Sequence, residues 1–290
     1  MPLHRENLIG SLWMIAAMAG FALEDAAIKA AAQGLPVAQV LVLFGLGGMV
    51  VFGLWALWQG DVIFTRDVLS KPMRIRVVFE ISGRLFYVLA LALTPLSSAT
   101  AILQATPLVV VLGAALFFGE QVGWRRWSAI FIGLIGVLLI LKPTPESFSP
   151  LSIFAVLGML GFAGRDLASR AAPKSLSTTV LGIFGFAAII AAGALYALWE
   201  QRGFVGMSIQ QTLMMMAAVG FGVLAYSALM RAMRTGDVAS VTPCRYTRLL
   251  FGLGLGVVLF GESLDRQTMA GCAIVVASGL FIMWRGKHQQ

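Results

Sequence analysis

Residues 20–30, GFALEDAAIKA, return as residues 161–171, GFAGRDLASRA, so one charged segment set in apolar surroundings occurs twice in the chain, 141 positions apart. A second echo confirms the frame: Phe118-Gly119-Glu120 recurs as Phe260-Gly261-Glu262, and Ser98 and Thr100 recur as Ser240 and Thr242. The chain reads as a tandem duplication with copies over 1–145 and 146–290. What such a duplication can fold into depends on how many membrane spans each copy holds. An odd number forces the second copy to enter the bilayer upside down.

Composition places the chain in lipid, because 59% apolar and only 12% charged residues leave too little polar surface for a soluble protein. Apolar stretches long enough to cross a bilayer core fall near 8–30, 36–58, 75–93, 97–118 and 124–142 in the first copy. The second copy has its stretches near 150–171, 176–199, 209–232, 238–260 and 266–285. Gly34 with Pro36, Pro72, Pro95, Pro143, Pro150, Pro173 and Gly236 punctuate the boundaries. The expected fold is therefore all-α and integral to the membrane, with ten transmembrane helices in two inverted five-helix repeats.

Lys and Arg counts set the orientation. With both termini cytoplasmic, thirteen of the 21 Lys and Arg residues fall on the inside and only Lys29, Lys142, Arg202 and Arg266 on the outside, as the positive-inside rule requires. The net charge of +8 is thus carried by loop anchors rather than by a surface for nucleic acid. His4 and His288 are terminal, and Cys244 and Cys272 lie in apolar runs, so no metal site or cofactor is expected. The chain has no HExxH, no GxSxG and no Walker A sequence, which argues against an enzyme and against nucleotide-driven work.

The ten spans in two copies, the G-F-A-x-x-D motif opening each copy and the F-G-E closing each fourth span resemble the drug/metabolite transporter superfamily in its EamA-type branch. Within that branch the chain looks most like the YddG-type exporters of aromatic amino acids. The resemblance covers nearly the whole chain. It implies a carrier in a bacterial inner membrane, working by alternating access, with the first four spans of each copy around a central pathway and the fifth at the periphery. Its partners would be the bilayer and a small-molecule substrate, amino acids foremost. A duplicated chain already holds both halves and would work as a monomer. A facilitative channel, or an exporter of other organic solutes, is the alternative.

Ionisable residues inside spans are costly, by about 2.5 kcal/mol or more each at mid-membrane, so they face a polar pathway or one another. Asp25 with Lys29, and Asp166 with Arg170, are four apart with the acid first, the favourable order for a pair on one helix. Each pair either neutralises itself at a span end or serves gating and coupling. Glu80, Arg84 and Tyr87 share one helical face, with the same two readings for Glu80 and Arg84. Arg245 and Arg248 have no nearby acid in sequence, so a substrate carboxylate or an acid such as Glu80 or Asp25 on another helix must compensate them. Gln104 and Tyr246 occupy equivalent positions and suggest a paired polar contact at the centre. Tyr87, Tyr226 and Tyr246 are the leading cavity residues, because a buried hydroxyl wants a partner. Phe21 and Phe162 pair across the repeat as packing or substrate-facing rings. Pro107, Pro243 and Gly252, Gly254 and Gly256 would let the fourth and ninth spans bend.

Overall fold

The computed structural model describes residues 2–118, 123–141, 149–171, 173, 175–235 and 242–287. Among these residues the chain is helical and contains no strand. The helices are α1 (Pro2–Ala32), α2 (Val37–Gln59), α3 (Lys71–Leu93), α4 (Leu96–Leu103), α5 (Thr106–Phe118), α6 (Trp124–Leu141), α7 (Ile153–Arg170), α8 (Thr178–Glu200), α9 (Ile209–Arg234), α10 (Thr247–Phe260) and α11 (Arg266–Lys287). Six stretches, in α1, α2, α4 with α5, α7, α8 and α9, are long and apolar enough to cross a membrane. Gly119 and Glu120 of the first-copy F-G-E motif lie outside the described residues.

Local chemistry explains where these helices start and stop. Pro36 precedes α2, and Gly60 ends it in a left-handed conformation (φ 71°) that lets its N–H reach back to the Ala56 and Leu57 carbonyls. Ser177 caps α8 by accepting from Val180 N, and Ser208 with Gln211 forms a reciprocal capping box on α9. The fourth apolar stretch breaks into α4 and α5 because Pro107 has no N–H to offer the Leu103 carbonyl. The Thr106 hydroxyl donates to that carbonyl instead, at 2.5 Å. In the described part of the ninth stretch a 3₁₀ turn over Thr242–Tyr246 precedes α10. The glycines of α10 lie within one continuous helix. Gly252 lies directly against the Thr100 side chain on α4, and the helix runs unbroken.

Helices of one half pack on helices of the other. The main pairings are α1 with α9, α3 with α7, α2 with α8, and α6 with α11. Exchanging the halves turns the first pairing into the second and maps the other two onto themselves. Close approach is built in at small residues. A Cβ on Gly161 of α7 would lie 2.4 Å from the Gly83 Cα of α3, so these two backbones cross in contact. Gly20, which holds the same motif position in α1, faces Ala225 of α9, where an added Cβ would come within 2.9 Å of the Ala225 Cβ. The leading glycine of the repeated motif is thus a helix-crossing residue in both copies.

Polarity is arranged inside out relative to a soluble bundle. Leu54, Leu57, Trp58, Phe117, Leu198, Trp199, Leu224 and Val258 are exposed, while Glu24, Asp25, Lys29, Gln39, Arg76, Glu80 and Gln104 are buried. Only a solvent as apolar as lipid makes that surface stable, and the chain is a multi-pass membrane protein.

At one end of the bundle, carboxylates tie the halves together. Glu262, which follows α10, accepts from the Leu96 and Ser97 backbone N–H groups at the start of α4. Glu200 at the end of α8 accepts from Val37 N and Ala38 N at the start of α2. An anion on the unsatisfied first turn of a helix is a favourable arrangement. Replacing Glu262 with Ala should therefore lower stability by about 2 kcal/mol, and Glu262→Gln by less, read as a shift in the unfolding midpoint of the purified protein.

Candidate functional site

The third apolar stretch carries three charged residues and yet forms a single helix, because α3 turns one stripe of polar side chains inward. Arg76, Glu80, Arg84 and Tyr87 follow each other at spacings of four, four and three along that stripe. Each of them meets side chains from other helices.

In its C-terminal third, α1 supplies two adjacent buried carboxylates. Asp25 accepts from the Tyr87 hydroxyl at 2.9 Å and pairs with Arg248 of α10 at 2.6 Å. Glu24 pairs with Arg84 at 2.8 Å. Aromatic rings lie against the guanidinium groups. Arg84 sits over Phe44 at 4.8 Å, and Arg248 lies over Phe21 at 5.2 Å and Tyr87 at 5.8 Å. Among the described residues, Glu24 Oε2, Asp25 Oδ1, Arg84 Nε, Arg248 Nε and the Tyr246 hydroxyl are buried without a hydrogen-bond partner. Two acids and two arginines balance in charge, while both signs keep polar atoms to offer a further group.

A second cluster joins α3 to α7. Arg165 pairs with Asp166 at 2.9 Å and with Glu80 at 3.3 Å, and it lies over the Phe162 ring at 4.7 Å. Arg76 reaches Glu80 at 3.7 Å and donates to the Ser169 hydroxyl at 3.0 Å. The Phe162 ring in turn packs edge-on to Tyr87 at 5.7 Å, connecting the clusters. Aromatic contacts then lead away from the centre: Phe44 to Phe186 at 5.3 Å, Phe186 to Phe52 at 5.7 Å, and Phe52 edge-on to Tyr226 at 5.3 Å. Beyond Phe52 a cavity of about 510 Å³ opens between α1, α2, α8 and α9.

Among the described residues the expected Asp25–Lys29 pair does not form. Lys29 leaves Asp25 and donates to the Leu91 and Thr94 carbonyls, with its ammonium 5.3 Å from the Phe260 ring centroid. Those carbonyls end α3 and have no partner inside the helix, so they attract a cation. Asp166 pairs with Arg165; the Arg170 side chain lies outside the described residues. Glu80 and Arg84 diverge, the first to Arg165 and Arg76, the second to Glu24. The reason is common to the Asp25–Lys29 and Glu80–Arg84 spacings: a bare helix offers only its own neighbours, whereas a bundle offers shorter, better-oriented partners.

Other expectations meet mixed outcomes. Arg248 finds Asp25, one of the two acids anticipated on another helix. Arg245 is half-buried with no ion pair among the described residues, and its carbonyl accepts from Gln104 Nε2 at 3.1 Å. Gln104 and Tyr246 are both buried at this joint but do not bond to each other. Phe21, Phe162 and Tyr87 come together around the charges, whereas Tyr226 belongs to the aromatic path beyond them. Glu24, Arg76 and Arg165 were not among the anticipated site residues. Aligning the motif copies could have found two of them, since Glu24 and Arg165 fill the same slot with opposite charge.

Several characterised proteins are similar to this chain. An S-adenosylmethionine uptake transporter of Rickettsia conorii is 25% identical over 205 residues, covering 71% of this chain and 69% of its own length. A pseudopaline exporter of Pseudomonas aeruginosa is 27% identical over 277 residues, 93% of this chain and 94% of the relative. A riboflavin transporter of Rhizobium johnstonii is 26% identical, covering 95% and 91%. A solved structure superimposes with a TM-score of 0.63 at 20% identity over 97% of this chain and 98% of its own, a likeness of fold. The family model for EamA-like transporters matches twice, over residues 8–142 and 150–284, and the protein belongs to that family.

Proposed function

We propose that the protein is a secondary carrier of small organic metabolites, in which two five-span halves, 1–145 and 146–290, sit in opposite orientation and alternate access to a site between them. The observation that carries this reading is the pair of buried ionic contacts joining the halves, Asp25 with Arg248 and Glu80 with Arg165. Buried charges spanning a moving interface favour discrete arrangements over gradual ones, because each ion must keep a partner throughout. The exchange of helix pairings between halves supports the inverted relation. The relatives support a transporter and not an enzyme.

The substrate class is drawn widely. Relatives named for S-adenosylmethionine, pseudopaline and riboflavin give no preference to aromatic amino acids, and they are named for both uptake and export. The carrier reading accordingly takes in amphipathic metabolites in general, with export of aromatic amino acids as one case. The distribution of Lys and Arg supports insertion in a bacterial inner membrane with both termini cytoplasmic. One chain supplies both halves, which supports function as a monomer.

Counterflow in reconstituted vesicles tests the carrier. Vesicles preloaded with S-adenosylmethionine, riboflavin or tryptophan should accumulate the matching labelled solute in at least one case, saturably and without ATP. Leak that is linear in concentration and indifferent to preloading would point to a channel and overturn the proposal. Orientation has its own check: a single cysteine at Lys71 should react with a membrane-impermeant maleimide only after the inner face is exposed, and labelling of intact cells would reverse the topology.

A further inference from the structure

The cavity beyond Phe52 is lined by residues that no ion pair or motif argument singled out. Trp13 comes from α1, Phe52, Trp55 and Gln59 from α2, and Ser227 and Arg231 from α9, with the first turn of α8 closing the ring. At about 510 Å³ it has the size of an ordinary small-molecule pocket. Its chemistry is one-sided. Two half-buried indoles offer flat apolar faces, and the fully buried Phe52 ring backs one of them, stacked on Trp55 at 5.8 Å. Arg231 is the charged lining residue, and its guanidinium lies over the Trp13 ring at 4.9 Å. A guanidinium held by its face keeps its N–H edge available for an acceptor. None of the described lining residues is acidic. Asp61, beside the rim, accepts the Ser177 hydroxyl at 2.9 Å, and the Gln59 carbonyl accepts from the Thr179 hydroxyl at 3.3 Å.

We propose that this cavity is an entry site for planar aromatic molecules that carry an anionic group, with the ring against Trp13 and Trp55 and the anion on Arg231. The proposal rests on the carrier reading and names the chemistry of the cargo. Between this site and Arg84 with Glu24, the Phe52, Tyr226, Phe186 and Phe44 rings pack on one another as a buried aromatic layer, so the cavity is separated from the buried charges by ring contacts alone. An aliphatic anion would lose the ring contacts, and an aromatic cation would meet Arg231 as a like charge.

Isothermal titration of the purified full-length protein in nanodiscs, with empty nanodiscs subtracted, tests this with three probes: 2-naphthoate, 2-naphthylmethylamine and cyclohexanecarboxylate. The naphthoate should bind at least tenfold more tightly than either of the others. Arg231→Gln should weaken naphthoate binding about tenfold, while Arg231→Lys, which keeps the charge, should weaken it less. Trp55→Leu should cost about three- to tenfold for naphthoate and leave cyclohexanecarboxylate unchanged. Equal binding of the three probes, or naphthoate binding indifferent to Arg231→Gln in a variant whose melting temperature is unchanged, would overturn the proposal. Should Arg231→Gln unfold the protein, the Arg231→Lys and Trp55→Leu results decide by the same criteria. The carrier reading fails separately: naphthoate binding that depends on Arg231 together with no counterflow of any solute would keep the site and remove the carrier.

Discussion

Replacing Asp25 with Ala should destabilise the protein by about 3–5 kcal/mol and abolish transport. Asp25 is fully buried and holds both the Arg248 guanidinium and the Tyr87 hydroxyl, so its removal leaves a buried positive charge and a buried donor without their partner. The unfolding midpoint in a denaturant titration reads the first effect and counterflow reads the second. A double variant, Asp25→Ala with Arg248→Met, separates stability from function. Removing both charges takes away the uncompensated ion and should recover most of the lost stability, since an apolar pair in place of a buried ion pair is often neutral. Transport should stay absent, because the polar atoms that the cluster offers a substrate are gone. Recovery of transport in the double variant would make Asp25 and Arg248 purely architectural.

A comparable effect is expected from a single methyl group at Gly161. In Gly161→Ala the new Cβ would fall 2.4 Å from Gly83 Cα and 2.5 Å from Gly83 N, and backbone atoms in two packed helices cannot turn aside as a side chain can. The α3–α7 crossing must open, which loosens the Phe162–Tyr87 contact and the Arg165–Glu80 pair together. We expect a loss of about 3 kcal/mol, at the upper end of overpacking effects. Gly53→Ala is the control: nothing lies within 4 Å of its added Cβ, and the better helix former should be neutral or slightly stabilising. Thermal unfolding of the two variants side by side distinguishes a crossing point from a general intolerance of bulk.

Both predictions concern residues of the repeated GFAxxD segment, whose chemistry divides by position. Gly20 and Gly161 allow helices to cross, Phe21 and Phe162 lie against arginines, and Asp25 and Asp166 hold them. The slot between, Glu24 in one copy and Arg165 in the other, carries opposite charge in the two halves and joins a different cluster in each. The two copies thus keep a common scaffold for packing while their electrostatics diverge.

The sequence by itself determined the helical class, the membrane as solvent, the boundaries of most helices and the duplication, because apolar run length, punctuation by Pro and Gly and self-similarity are properties of the chain read along one dimension. It also marked the residues that must be compensated, since a charge within an apolar run is costly wherever the run ends up. Which partner compensates which charge was decided only by the tertiary structure. The helical spacing rule paired Asp25 with Lys29 and Glu80 with Arg84, yet the bundle joins Asp25 to Arg248, Lys29 to the carbonyls ending α3, Arg84 to Glu24 and Glu80 to Arg165. The pocket beyond Phe52 is of the same kind: Trp13, Trp55 and Arg231 lie far apart along the chain, and nothing short of the packing of α1, α2 and α9 brings them to one cavity. Pairing in a desolvated interior is settled by distance and orientation across helices, and a linear sequence records neither.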